Sequence, residues 1–434
     1  MSRRRNISEK VKNIIILLLL ISAVFLGWQS QLFGNTSVKL SALTNPADDK
    51  PADPGNGVPA ADINKTGEAR PVSIAVTDNA GAHYGEKFNL ANIESIYQNA
   101  VLIFHDALGT AQAAEKTDEK TWREALRAPG VYFEYMSSMR LSVLDGWFGT
   151  EITEDWRTHS VRRLCVAVDG APRLYFQDDE TGAFYAADTD VLSDSITKLT
   201  GLYTSNDTAF AFEILDAPSP GDPYVLILPA SSHHPIIEAA NPLTGETLAV
   251  MLRYFGVSEH SKPITEEDGS QTYIPTPADF RIELSPDGTV VYKRTGNPEE
   301  TAAPVNESGA IELARLAVAE TIAKYCGKDA RVYFDAVSSS GPNPNSFQVI
   351  FTYMVAGGRV WLDRDGYAAS VTVTNGAVSK MELRFRSFAI TDQESKLLPE
   401  IQAAAAAGGA FMLCYSDNGD GVFEPSWVVI SHNS

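Results

Sequence analysis

The sequence is poor in the residues from which catalytic and metal centres are usually built. Its three cysteines, Cys165, Cys326 and Cys414, lie far apart along 434 residues. They form no CxxC pair, zinc-ligand spacing or disulfide framework. Cys165 in "RRLCVAV" and Cys414 in "FMLCYS" sit in apolar, strand-like runs, which suits small buried hydrophobes. A bridge between them is left open by the sequence. G-x-S-x-G, H-E-x-x-H, G-x-x-x-x-G-K-[ST] and G-x-G-x-x-G are all missing, so the most recognisable hydrolase, metalloprotease and nucleotide-binding frameworks drop out. Basic residues are also scarce, 35 against 55 acidic, for a net charge of −20. The first twelve residues hold five of the basic residues and one acid, so 30 basic and 54 acidic residues remain from Asn13 onward, a net −24. A body that acidic repels nucleic acid and anionic headgroups; the charge argues mainly for solubility.

The short motifs that do occur fail on context. S-x-x-K at residues 195–198, S-D-N at 416–418 and K-T-G at 65–67 are the three motif types of acyl-serine penicillin-binding enzymes. Here K-T-G precedes the serine and S-D-N lies in a Gly-rich turn, the wrong order and setting. "SSHHPIIE" offers His233, His234 and Glu238 as metal ligands, but Pro235 breaks the helix that would gather them, so the segment reads as a solvated loop. "SDNGDGVFE" places glycine where a calcium loop needs oxygen-bearing side chains and reads as a hairpin turn. His105 falls inside a helical pattern, as a satisfied, partly buried histidine.

What the sequence does have is one long apolar run. Residues 14–28, "IIILLLLISAVFLGW", are interrupted only by Ser22 and Gly27. As a helix the run is about 22 Å long, and carried to Phe33 about 30 Å, the thickness of a bilayer's hydrocarbon core. Length alone leaves a cleaved export signal and a membrane span both open. The run is followed by "GWQSQLF", without a small-x-small cleavage pattern, and Trp28 and Phe33 suit an interfacial anchor. No cysteine precedes position 165, which excludes lipoprotein processing. The reading is therefore a retained helix at 13–33, with the basic tail 1–12 cytoplasmic and the body extracellular. Ser22, Ala23 and Gly27 form a candidate close-approach face for a partner helix, although such residues are also tolerated in a lipid-facing helix.

Residues 34–70, rich in Pro, Ala, Asp and Gly, read as a disordered stalk of roughly 33 Å average span. Globular patterning begins at Pro71, and three bodies are expected, at 71–205, 206–300 and 301–434. "PVSIAVTD" alternates as a strand, residues 88–114 carry helical spacing, and "TDEKTWREAL" is a helix capped by Thr117 or Asp118. "VYFEYM", "RRLCVAVD" and "RLYFQ" read as strands, as do "TAFAFEIL" and "YVLILP". "DFRIELSPDGTVVYKR" is a hairpin. In the last third, Ile311, Ala314, Val318, Ile322 and Tyr325 share one face of a helix ending at Gly327. Hairpins follow with a Gly-Gly turn in "MVAGGRV" and an Asn-Gly turn in "VTNGAV", then a helix over "SKLLPEIQAAAAA". "IELSPDGTVVY" and "VTVTNGAVSKM" are loosely alike, hinting at two domains of shared architecture. The fold class is α+β: an N-terminal transmembrane helix, then two or three extracellular domains with mainly antiparallel sheets and flanking helices.

Several phrases of the body resemble the YycH family. They are "IYQNAVLIFHDAL", "WREALRAPGVYFEYMSSMRLSVL", "LRYFG", "DGSQTYIPTPADFRIELSPDGTVVY", "FTYMVAGGRVWL", "VTVTNGAVSKMELRFRSF", "LLPEIQAAAA" and "PSWVV". The resemblance runs over residues 10–434. It implies a membrane-anchored extracellular regulator of the YycG (WalK) sensor histidine kinase, in a cell-wall-controlling two-component system of Gram-positive bacteria. It implies partners in the kinase and a YycI-like protein, essential contacts by the transmembrane helix, and no enzyme activity, cofactor or metal. The competing reading is a membrane-anchored envelope-binding module, PepSY-like, acting on a protease or wall ligand. A less favoured third is an exported hydrolase with an unrecognised site.

Overall fold

Period-two and period-3.6 patterns alternate along the body, and the computed structural model resolves them into two sheets with helices packed on them. It describes residues 69–215, 222–229, 232–258, 260–275, 278–295, 304–362, 366–407, 410–417 and 421–429. The run at 13–33 with Ser22, Ala23 and Gly27, most of the 34–70 segment and the K-T-G match lie outside the described residues. Among the described residues no helix is long and apolar enough to cross a membrane.

The first sheet contains β1 (Ser73–Thr77), β2 (His83–Glu86), β3 (Glu115–Thr117), β4 (Gly130–Arg140), β5 (Ser160–Asp169), β6 (Ala171–Gln177) and β7 (Phe184–Asp188), in the order β2-β1-β4-β5-β6-β7-β3. Register puts Ala75, Tyr132, Cys165, Tyr175 and Ala186 in one row. The next row, on the opposite face, holds Ile74, Phe133, Leu164, Phe176 and Tyr185. Both faces are apolar because both are covered. Helix α1 (Leu90–Thr110) starts at Asn89, whose side chain accepts from the Ala91 and Asn92 amides, and lays Phe104 on Phe133 with centroids 4.0 Å apart. Helix α2 (Glu119–Arg127), capped by Asp118 rather than Thr117, buries Trp122, Ala125 and Leu126 on the Cys165 row. Then come α3 (Leu141–Phe148), α4 (Glu154–Arg157), α5 (Ser193–Thr200) and α6 (Ala211–Ile214).

"TAFAFEIL" and "YVLILP" make no long strands. They contribute the two-residue pair β8 (Ala209–Phe210) and β9 (Leu226–Ile227), with α6 between them. Phe210, Tyr224 and Leu226 drop into the first sheet's core. Apolar runs flanked by prolines can pack without pairing along their length.

The second sheet has thirteen strands: β10 (His233–Ala240), β11 (Ile264–Thr265), β12 (Gln271–Tyr273), β13 (Phe280–Leu284), β14 (Thr289–Arg294), β15 (Ala330–Ser339), β16 (Ser346–Val355), β17 (Gly358–Trp361), β18 (Ala369–Thr374), β19 (Ala377–Arg384), β20 (Ser387–Lys396), β21 (Phe411–Asp417) and β22 (Val422–Val429). Their order is β11-β12-β13-β14-β19-β18-β16-β17-β21-β22-β10-β20, with β15 on the other edge of β16. All pairings are antiparallel except β17 with β21. The boundary expected at 300/301 falls inside this sheet, because β14 pairs with β19. The two look-alike hairpins, β13–β14 and β18–β19, are therefore neighbours in one sheet rather than echoes of two domains.

Three other expectations change in detail. The helix through Ile311 and Tyr325 is broken into α8 (Glu307–Glu320) and α9 (Ile322–Tyr325), following α7 (Gly245–Tyr254). The break is at Thr321, whose hydroxyl donates back to the carbonyls of Ala317 and Val318. The β16–β17 turn is Ala356-Gly357, both with positive φ, not Gly-Gly; Val355 pairs with Gly358 across it. "SSHHPIIE" is not a loop but the start of β10, and Pro235 sits at its irregularity, where a missing N–H is tolerated. The Asn375-Gly376 turn has the positive φ pair that the sequence implies. Helix α10 (Glu400–Ala406) starts only after β20 has run to Lys396.

The Phe104–Phe133 stack is the mechanical centre of the first body, with both rings fully buried. Phe104→Ala should lower unfolding free energy by about 3–5 kcal/mol, read from urea denaturation. Leu102→Ala, an exposed neighbour on the same helix, should change it by less than about 1 kcal/mol.

Candidate functional site

Strand β4 is eleven residues long and also packs on the second sheet. Its first half pairs with β1 and β5, but between Glu134 and Met139 its register on β5 shifts. That irregular stretch packs against β15 of the second sheet. Ser137 donates to Asp335 (3.1 Å), which Arg359 also holds, and Trp147 Nε1 donates to Glu312 (3.2 Å). Arg140 pairs with Glu307 (3.1 Å), and the hydroxyls of Ser142 and Ser308 meet at 2.7 Å.

Between these contacts lies a cavity of about 350 Å³, walled by β4, α3, α8, α9 and β15. Met136, Met139, Trp147, Val318 and Phe351 supply apolar wall. Arg70, Arg315, Lys324 and Arg331 supply cations, and no Asp or Glu belongs to the lining. Burial drives the hydroxyl of Tyr333 up to about 12, against the pull of Arg70 and Arg331, and burial holds Tyr135 far above its ordinary value. Both phenols are therefore neutral at physiological pH, and the cations set the local field.

The titratable groups elsewhere in the seam are committed to structure. Arg163, buried, is held by Glu134 (2.9 Å) and Asp222, and Arg162 adds a second cation on Glu134 (3.1 Å). Lys87 meets Glu400 and the carbonyl of Leu226, while Glu400 accepts the Leu228 amide (3.0 Å). Thr77, His83 and Glu213 line up like a nucleophile, a base and an orienting acid, at 2.9 and 3.0 Å. The Thr77 hydroxyl also lies 3.2 Å from the Leu126 carbonyl, Thr77 and His83 are both buried, and neither lines the cavity, so the array is a brace. His159 is held by Asp178, His105 by Asp106 and His233 by Glu394. His234 is buried between the rings of Phe88 and Trp427.

The motif matches are not gathered into a site. Ser195 and Lys198 ride on α5 against the first sheet, whereas Ser416 ends β21 in the second. His233 is exposed and His234 buried, as adjacent strand residues must be, and Glu238 faces solvent. Among the described residues no group of three or more His, Cys, Asp or Glu could hold a metal. The three cysteines are free and buried, so Cys165 and Cys414 are not bridged. Burial pushes the Cys414 thiol up to about 11, and Cys165 higher still. The cavity residues carried no motif; the one local sign was "EYMSSMR", a strand that switches from apolar to mixed where β4 leaves its partner.

No family model matches the chain, and no curated protein matches it in sequence. Among solved structures, YycH from Bacillus subtilis is similar with a TM-score of 0.47 and 9% sequence identity, over 83% of this chain and 93% of that one.

The Asp222 carboxyl is caught between burial, which would raise it, and the Arg163 charge and hydrogen bond, which hold it below the ordinary value. A depressed carboxyl contributes stability that is complete above its unfolded value, about pH 4, and is lost as pH falls through the folded one. Urea unfolding should show wild-type stability dropping below about pH 4. Asp222→Asn should be less stable at pH 7 and show a shallower drop.

Proposed function

We propose that the chain is a single-pass membrane regulator of the YycH type, which modulates a YycG/WalK-type sensor histidine kinase. It would act in a cell-wall-controlling two-component system, alongside a YycI-like protein, with its N-terminus cytoplasmic and its body extracellular. The observation that carries this reading is the order of segments. A basic tail, the apolar run at 14–28 and a Pro/Asp-rich stretch precede an acidic body whose phrases resemble the family along its length.

In this reading the transmembrane helix makes the essential contact. Helices in lipid gain little from hydrophobicity when they associate, so close packing at small residues decides which partners fit. Ser22, Ala23 and Gly27 supply such a face. The body, tethered by a coil of roughly 33 Å average span, would reach a neighbour's extracellular domain.

Replacing residues 14–33 with an unrelated span of equal length should abolish the two-hybrid signal with the kinase and change kinase-dependent reporter output. Gly27→Leu should weaken both. Unchanged binding and output after the swap would remove the mechanism. A mature protein lacking its first residues, by intact mass, would show a cleaved signal instead.

A further inference from the structure

We propose that the cavity between β4, α3, α8, α9 and β15 binds a small organic anion with an apolar body. Its carboxylate would sit at Arg331, and its aromatic or aliphatic part on Met136, Met139 and Trp147. The inference stands apart from the regulatory reading and needs no kinase.

Three observations converge on it. The first is size and wall. About 350 Å³ lies within the range of small-molecule sites, roughly 300–1,000 Å³, and an apolar lining with few polar groups is their usual composition. Methionine side chains adapt to the shape of a guest. The second is charge. In a chain of net charge −20, the cavity is lined by four cations and no carboxylate. Arg70, Arg315 and Lys324 each have a carboxylate behind them, in Glu94, Glu312 and Glu320. Arg331 differs: among the described residues no carboxylate lies within ion-pair distance, and its Nη1 donates only to the carbonyls of Lys328 (3.4 Å) and Ala330 (2.9 Å). A guanidinium offers five donors in a planar fork that matches a carboxylate.

The third observation is Tyr135. It is 1% exposed, it lines the cavity, and its hydroxyl has no hydrogen-bond partner among the described residues. A buried hydroxyl without a partner, on a residue that borders a cavity, is available to an acceptor on a guest. Together these features select against other guests. A cation would meet Arg331 without a carboxylate in ion-pair distance, a neutral hydrocarbon would leave its fork unused, and a polyanionic strand would be repelled by the acidic exterior.

The test uses the full-length chain in lipid nanodiscs, with empty nanodiscs as blank, titrated calorimetrically with 3-phenylpropionate and its neutral isostere 3-phenylpropanamide. The anion should bind at least about tenfold more tightly than the amide. Arg331→Gln should erase that preference, while Arg123→Gln, on α2 and outside the cavity lining, should leave it intact. Met139→Trp, which fills the apolar half, should abolish binding of both compounds. Tryptophan emission should change on binding in the wild type and not in Trp147→Phe, a readout that holds even if Arg331→Gln does not fold. Absence of binding, equal affinity for anion and amide, or an unaltered preference in Arg331→Gln would each overturn the proposal.

Discussion

The arrangement of the two sheets hangs on a charge pair withdrawn from water. Glu400 is 2% exposed, and its partner Lys87 reaches it from the end of β2, more than three hundred residues earlier. A buried carboxylate is costly unless it is paired and its remaining lone pairs are used, and here the Leu228 amide uses them. Three separate segments, after β2, at β9 and at the start of α10, must therefore meet at one point. The β16–β17 turn closes on the same point: a Cβ on Gly357, at φ +72°, would stand 2.3 Å from the Lys87 carbonyl. Only glycine allows that approach.

Away from that corner, the two sheets meet again where β4 packs on β15. The irregular stretch after Glu134 meets β15 before β4 pairs with β5 again at Met139 and Arg140. Polar contacts hold the far side of the contact, through Ser137, Arg140, Ser142 and Trp147, and the cavity is the space left between them. It is thus a consequence of how β4 of one sheet packs on β15 of the other, and its lining comes from both.

How much of this could be read from the chain depends on the range of the interactions. Capping by Asp118, the Asn375-Gly376 turn and the strands at β1, β5 and β6 follow local rules, although β1 is buried on both faces where alternation was expected. The break at Thr321 was hidden because Ile311 to Tyr325 keeps helical spacing across it, and only a hydroxyl bonding backwards reveals it. His233 and His234 were misread because Pro235 argues against a helix but equally permits a bulged strand. The short β8 and β9 look like full strands in composition, yet their apolar side chains serve another sheet's core. The cavity was invisible because Tyr135 and Arg331 are nearly two hundred positions apart, and no local pattern specifies that meeting.

The contact between β4 and β15 also gives the proposed site its leverage. Met136, Met139 and Trp147 belong to the first body, and Val318 and Arg331 to the second. A guest that touches both walls gains its full contact energy only when β4 and β15 are held at the observed spacing. It can shift that spacing by no more than its difference in affinity between arrangements, a general limit on ligand-driven change. The Lys87–Glu400 corner lies beside a second, smaller cavity that Met136 also lines, so one methionine touches both spaces.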